Sequence, residues 1–159
     1  MCDVSRIAGA LDAEIEQLLA DGRDEEARRL ETLAAVSLLD GVPVEVLGGL
    51  AFDLRENVFP AGTEVVREGD SDGVGFFVVV SGKGAVRIGD REVGTVGAGD
   101  HFGAVATIDG GPRTATVRAV TELRCLILTD ATFHELVHDH ADVAWRLLVY
   151  LAGLARVSG

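Results

Sequence analysis

Residues 101–117 combine residue types and a spacing that suit the binding of an anion. The stretch reads His-Phe-Gly-Ala-Val-Ala-Thr-Ile-Asp-Gly-Gly-Pro-Arg-Thr-Ala-Thr-Val, so a turn of small residues around Gly103 precedes Arg113. Backbone N–H groups that open a short helix lack intrahelical partners and attract anions, and an arginine adds a planar fork that matches two phosphate oxygens. Because the chain carries a net charge of −12, Arg113 does not belong to a general basic surface. The stretch therefore predicts a site for one phosphate.

A second motif suggests metal chemistry. His134-Glu135-Leu136-Val137-His138 has the H-E-x-x-H spacing of zinc proteases, which places two histidines on one face of a helix. A zinc centre needs a third protein ligand, and a further histidine of the usual spacing would fall at Ala144. His140 could complete an adventitious site, but we expect an ordinary helix and no metal. His101 is the only histidine before residue 134, too few for a cupin-like metal barrel, and we expect it to be a turn residue.

Composition limits the classes of function. The chain has 159 residues, of which 48% are apolar, so it can bury a substantial core. Its acidic balance opposes a nucleic-acid surface and adsorption to an anionic membrane. Two cysteines, Cys2 and Cys125, are too few for a disulfide framework. The N-terminus has acidic residues and does not resemble a signal peptide, and no stretch approaches the ~20 apolar residues of a membrane span. We expect a cytoplasmic protein with free thiols.

Helical periodicity in both terminal parts encloses a central region of short strands. Residues 4–20 and 23–36 predict helices, and Pro43 suits the first position of a third, short helix. From residue 54 the pattern changes to short strands separated by glycine turns, and the continuously apolar run 76–80 predicts a strand covered on both faces. The strand candidates are residues 54–58, 64–67, 75–81, 84–88, 92–96, 114–120 and 123–128.

The helical period returns after Thr129, which is an N-cap candidate, and predicts one or two closing helices. The pattern favours a mainly β fold, an antiparallel jelly roll or β-roll (double-stranded β-helix) with N-terminal and C-terminal helices. Residues 1–32 are interpreted as a helical extension and residues 33–159 as the domain. The apolar stripe of the first helix predicts either a homodimer seam or packing on the barrel; it comprises Ile7, Leu11, Ile15 and Leu18.

Several motifs in sequence order resemble the cyclic nucleotide-binding domain family, which is also found in catabolite-activator-type regulators. Pro112-Arg113-Thr114-Ala115-Thr116-Val117 matches the phosphate-binding motif of that family at every position. The other matching pieces are Phe59-Pro60-Ala61-Gly62, Arg67-Glu68-Gly69-Asp70, Phe77-Val78-Val79-Val80-Ser81-Gly82 and Gly99-Asp100-His101-Phe102-Gly103. The resemblance extends from about Leu33 to the C-terminus, and it implies a β-roll that binds a cyclic nucleotide.

The resemblance also implies roles for individual residues. Arg113 would contact the cyclic phosphate, and the amides of Gly103, Ala104 and Val105 would cap it. Thr114 stands where family members often have a small or hydroxyl residue that touches the phosphate or the purine, and it is compatible with cAMP and with cGMP. The alternative interpretation of Arg113 is a surface arginine paired with a nearby carboxylate, that of Asp109.

One position departs from the family pattern. The family usually has glutamate after Phe-Gly, and its carboxylate accepts a hydrogen bond from the ribose 2′-hydroxyl; this chain has Ala104. Loss of a hydrogen bond to a charged group costs about 1.5–3 kcal/mol, or about one to two decades of affinity. The family's C-terminal helix often covers the base, and Trp145 and Tyr150 are the large aromatic residues there. Either would stack on a purine, or both simply pack the helix on the barrel.

The leading hypothesis is a non-enzymatic regulatory module that binds cAMP or cGMP. Its terminal helices would rearrange on binding and signal to an effector protein. DNA-binding members of the family append a helix-turn-helix domain; this sequence ends at Gly159, so direct control of transcription is not expected. The alternative is a degenerate domain that keeps the β-roll, has lost ligand affinity because of Ala104, and serves as an interaction scaffold.

Overall fold

A computed structural model describes residues 4–71 and 75–158, with side chains described for residues 9–71 and 75–156. Contacts divide the chain into two compact units, which meet in sequence between Leu54 and Arg55. The expected boundary between residues 32 and 33 stays a prediction. No described helix is both long enough and apolar enough to cross a membrane.

The first unit is a small group of helices. Helix α1 is Val4–Ala20, α2 is Asp24–Ala34, a single 3-10 turn covers Ser37–Leu39, and α3 is Val44–Asp53. All three predicted helices are confirmed. Pro43 is the N-cap of α3 with extended backbone (φ −56°, ψ 144°), so its expected place at the first helical position is wrong by one residue.

Buried leucines hold this unit together, and α1 packs on α2 and α3. Leu18, Leu30 and Leu33 are all 4% exposed or less. Of the predicted α1 stripe, Leu18 is buried and Leu11 and Ile15 are half-buried, whereas Ile7 lies outside the residues with described side chains. A homodimer seam on this stripe stays a prediction.

The second unit is a β-roll of two antiparallel four-stranded sheets. The strands are β1 Arg55–Phe59, β2 Glu64–Val66, β3 Phe76–Ser81, β4 Gly84–Ile88, β5 Arg91–Val96, β6 His101–Phe102, β7 Thr116–Ala119 and β8 Leu123–Leu128. One sheet has the strand order β1-β8-β3-β6 and the other has the order β2-β7-β4-β5. Every predicted strand is present, with ends shifted by at most two residues, and β6 is an additional strand that was not predicted.

The core of this unit lies between the two sheets. Phe77, Val79 and Cys125 are buried there, and the rings of Phe77 and Phe102 stack with centroids 4.7 Å apart. Pairing of β3 with β6 brings Phe77 opposite Phe102, which fixes the chain as it enters the Gly103 turn. The first four residues of β3 are buried, as the continuous apolar run from 76 to 80 predicts.

Three helices complete the second unit: α4 Ala104–Asp109, α5 Asp130–Asp139 and α6 Ala141–Ser158. The predicted N-cap is confirmed, because the Thr129 hydroxyl accepts a hydrogen bond from the Thr132 N–H. The expectation of a mainly β fold is wrong, since 47% of the chain is helical. The helical content is high because the β-roll occupies only the central part of the sequence, and both ends of the sequence form helices.

Candidate functional site

The Gly103 turn presents the start of α4. Gly103 is the N-cap of this helix and has a left-handed backbone (φ +93°). A Cβ at this position would lie 2.7 Å from Nη1 of Arg113 and 3.1 Å from the Gly75 carbonyl oxygen, so only glycine fits. The amides of the first helical turn, beginning at Ala104 and Val105, have no intrahelical acceptors and point toward whatever lies at the helix start.

Arg113 is buried beside this turn. Its side chain is 4% exposed; Nη1 donates to the Gly103 carbonyl (3.3 Å) and Nη2 to the Gly75 carbonyl (3.1 Å). The guanidinium carbon lies 5.8 Å from the centre of the Phe77 ring. The alternative of a surface arginine paired with Asp109 is wrong, because Arg113 is buried and the Asp109 carboxylate instead accepts from the Gly111 N–H (2.8 Å).

The Arg113 cation keeps unused donors. A guanidinium has five N–H bonds, and the two carbonyls take one from each terminal nitrogen. Its Nε is buried without a hydrogen-bond partner, and no carboxylate forms an ion pair with it among residues 4–71 and 75–158. Burial lowers the pKa of Arg113, and the charge of Asp130 raises it, yet an arginine stays protonated near neutral pH. A buried cation with spare donors is suited to an anion.

A cavity of about 190 Å³ opens at this cation. Its lining combines the polar Gly103 turn, the arginine and the Thr114 side chain with an apolar wall from β4 and β5 and with two residues of α6. The apolar wall includes Val86, Ile88, Val93 and Val96; the α6 residues are Tyr150 and Leu154. This combination suits a ligand that has both an anionic group and an apolar group.

Tyr150 and Trp145 occupy different positions relative to the cavity. Tyr150 lines it, and burial raises the pKa of this phenol. Trp145 does not line it and is 66% exposed, and its contact with a ligand stays a prediction. Five residues along an α-helix turn the direction by about 140°, so both rings cannot face the same cavity. Leu154, four residues beyond Tyr150, does share its face.

His101 lines the cavity, although the sequence predicted only a turn residue there. It lies in β6, not in a turn; its ring centroid is 5.1 Å from that of Phe76 and 4.8 Å from that of Tyr150. Burial lowers the pKa of His101, and the charge of Asp100 raises it. Its Nδ1 is buried and has no partner within the described part of the chain. A two-residue strand is too short to show a period, so no pattern signalled this position.

Ala104 is 3% exposed. It lines the cavity together with Gly103, Val105, Arg113 and Thr114. The structure thus brings these predicted residues together with Tyr150. None of the cavity-lining residues that are described is a carboxylate, so the missing glutamate of the family pattern has no obvious replacement.

The H-E-x-x-H segment lies on α5, where His134 Nε2 is 2.7 Å from the Thr107 carbonyl oxygen. This hydrogen bond engages one of the two ring nitrogens through which His134 could ligate a metal. Within residues 4–71 and 75–158 no group of three histidine, cysteine or acidic side chains is arranged to hold a metal ion.

Comparison with known families identifies the β-roll. The profile of the cyclic nucleotide-binding domain matches residues 56–140, which include the Gly103 turn and Arg113. The chain belongs to this family. The resemblance drawn from the short motifs is therefore confirmed, and the domain is homologous to the cAMP-binding domains of ion channels, transcription regulators and protein kinase regulatory subunits.

Three relatives illustrate the range of proteins that contain such a domain. A cyclic nucleotide-gated potassium channel of Rhizobium etli is 36% identical over 133 residues, which cover 80% of this chain and 37% of the channel. A CRP-like cAMP-activated global transcriptional regulator of Mycobacterium tuberculosis is 30% identical over 129 residues, covering 77% and 56%. The cAMP-bound regulatory domain of Toxoplasma gondii protein kinase A superposes with a TM-score of 0.71 at 28% identity, covering 81% and 50%. The domain thus spans less than two thirds of each relative.

Proposed function

We propose that this domain binds a cyclic nucleotide, cAMP or cGMP, and acts as a non-enzymatic regulatory module. The observation that carries the proposal is the buried Arg113 cation, which has unused N–H donors at a cavity and no carboxylate partner among the described residues. A buried cation without an anion is costly, and a phosphate would satisfy it. The family to which the domain belongs supports the choice of a cyclic nucleotide over other anions.

The cavity suggests how each part of the ligand binds. The cyclic phosphate accepts hydrogen bonds from Arg113 and from the amides of Ala104 and Val105 at the start of α4. The purine lies along the apolar wall of β4 and β5, where the Tyr150 ring is within reach for stacking. Thr114 is an exposed residue of the cavity lining, and its hydroxyl can bond to the phosphate or to the base.

Helix α6 is the element through which binding would be transmitted. Tyr150 and Leu154 line the cavity, so a ligand there interacts directly with α6. A ligand shifts a helix only if it prefers one helix position over another, and direct contact supplies such a preference. An effector protein that reads the position of α6 would then receive the signal.

Ala104 favours a second candidate, a degenerate domain that no longer binds nucleotide and serves as an interaction module. Its buried methyl group offers no acceptor for a ribose hydroxyl, and no carboxylate among the described lining residues replaces it. The retained geometry of Arg113 and Gly103 is what favours the binding function over this one.

Isothermal titration calorimetry with cAMP and cGMP distinguishes the two. The first candidate predicts saturable heat for the unmodified protein and its loss in Arg113→Ala, while Arg118→Ala, an exposed arginine on β7, binds as before. Ala104→Glu should increase affinity by about 10–100-fold because it restores one hydrogen bond to a charged group. Absence of heat with both nucleotides in the unmodified protein at high protein concentration would establish the degenerate domain instead, and heat that appears only in Ala104→Glu would identify the missing carboxylate as the cause.

A further inference from the structure

Two side chains of α5 reach the backbone segments that hold Arg113 and the Gly103 turn. Asp130 and His134 are four residues apart, so they lie on the same face of this helix. Asp130 contacts Gly75, and His134 contacts Thr107. Neither residue lines the cavity, and the nucleotide would touch neither of them.

Gly75 connects Asp130 to Arg113 through its backbone N–H and its backbone carbonyl. Asp130 Oδ1 accepts a hydrogen bond from the Gly75 N–H (3.1 Å), and the Gly75 carbonyl accepts one from Arg113 Nη2 (3.1 Å). Gly75 has φ +107°, and a Cβ there would lie 2.7 Å from the Leu128 carbonyl oxygen. The position of Gly75 is therefore tightly constrained. Its N–H is bound by the Asp130 carboxylate, and its carbonyl binds the Arg113 guanidinium.

Thr107 provides the second connection. Its side chain is 3% exposed, and its Oγ1 lies 2.7 Å from the Gly103 carbonyl oxygen and 3.1 Å from that of Gly75. These two carbonyls are the ones that hold Arg113. The Thr107 carbonyl in turn accepts from His134 Nε2 (2.7 Å). His134 thus fixes the residue whose hydroxyl lies within hydrogen-bond distance of both carbonyl acceptors of the guanidinium and donates to one of them at a time.

We infer that Asp130 and His134 are positioning residues for the anion site. Asp130 orients the Gly75 carbonyl, His134 anchors Thr107, and together they keep the Arg113 guanidinium aimed at the cavity from a helix that does not line it. The first histidine of the H-E-x-x-H motif then serves as a hydrogen-bond donor to backbone and not as a metal ligand. The effect on nucleotide affinity rests on the proposed function, whereas the effect on Arg113 itself does not.

The test needs a readout that does not depend on ligand. Hydrogen exchange of the Arg113 Nε–H, followed by ¹⁵N NMR in the unliganded protein, reports directly whether the guanidinium stays in place. Asp130→Ala should speed this exchange by about tenfold or more, the effect expected from the loss of one hydrogen bond to a charged group. Asp130→Asn keeps an oxygen acceptor for the Gly75 N–H and should leave the exchange slow.

Control variants separate positioning from general loss of stability. Thr129→Ala removes the N-cap of α5 and destabilises the same helix end, but it leaves both connections intact. His134→Ala should loosen Arg113, and His134→Gln should restore it because a side-chain amide can donate to the Thr107 carbonyl. Glu135→Ala changes an exposed neighbour on the same helix and should have no effect.

Titration with cAMP completes the experiment. Asp130→Ala should weaken binding, whereas Asp130→Asn should bind at least as tightly as the unmodified protein, because it keeps the acceptor and removes a negative charge near the bound anion. The inference is overturned if Thr129→Ala speeds the Nε–H exchange as much as Asp130→Ala does, or if Asp130→Asn behaves like Asp130→Ala. If the exchange results are as expected and the unmodified protein does not bind cAMP or cGMP, the positioning roles stand and the proposed function fails.

Discussion

Replacement of Gly103 by alanine tests whether the turn and Arg113 form one structural unit. Alanine would have to adopt φ +93°, which costs about 1–2 kcal/mol for an L residue. Its Cβ would also lie 2.7 Å from Arg113 Nη1, so the guanidinium must move and give up a hydrogen bond to a charged group, about 1.5–3 kcal/mol. We therefore expect Gly103→Ala to lower the free energy of unfolding by about 2.5–5 kcal/mol.

The other end of α4 supplies a matched control. Gly110 also has a left-handed backbone (φ +69°), but a Cβ there would meet nothing within 4 Å. Gly110→Ala should show only the backbone cost of about 1–2 kcal/mol. Urea denaturation of both variants measures the difference, which is the part due to Arg113.

A double-mutant cycle with Arg113→Ala isolates the part of the Gly103→Ala destabilisation that comes from the contact with Arg113. In the Arg113→Ala background the close contact with Nη1 is gone, so Gly103→Ala should cost less than in the unmodified protein, by about 1–3 kcal/mol. Equal costs for Gly103→Ala and Gly110→Ala, or a cycle without coupling, would refute the claim that the turn is built around the guanidinium.

Three further predictions concern the cavity and the core. Burial lowers the pKa of His101 below its ordinary 6.5, so the folded protein should lose stability as the pH falls from 6.5 toward the lower pKa of the folded state. Urea denaturation from about pH 7.5 to pH 5 measures this loss, which should be smaller in His101→Phe. Tyr150→Ala should weaken nucleotide binding about tenfold in calorimetry, whereas Trp145→Ala should leave it unchanged. Burial raises the pKa of Cys125 to about 12, so in a Cys2→Ser variant a thiol reagent at about pH 8 should react only after unfolding.

The elements of the β-roll that bury a continuous or alternating apolar face could be predicted from the sequence. The run around Phe77 and the helices before and after the strands have clear periods, and Pro112–Val117 has a specific motif. The sequence singled out Arg113 as a candidate anion ligand, because it is one cation beside a glycine turn in an acidic chain, but its burial became known only from the structure. These features depend on local pattern, which a single sequence contains.

Features that depend on tertiary contacts could not be predicted. Strand β6 has two residues, so the position of His101 against Phe76 and Tyr150 has no periodic signal. The choice between Tyr150 and Trp145 depends on how α6 is rotated about its axis, which the apolar content of the helix leaves open. The contacts of Asp130 and His134 are to backbone carbonyl and N–H groups far away in sequence, and no side-chain pattern announces such partners.

Arg113 holds the phosphate of a cyclic nucleotide in the proposed complex, and this contact can be tested with a ligand that lacks the phosphate. The direct measurement compares calorimetric affinities of cAMP and of uncharged adenosine for the unmodified protein and for Arg113→Ala. We expect cAMP affinity to fall by about 10–150-fold in the variant, the value of one hydrogen-bonded contact to a charged group, with adenosine affinity little changed. Equal changes for the two ligands, or an Arg113→Ala variant that binds cAMP as tightly as the unmodified protein, would contradict the claim.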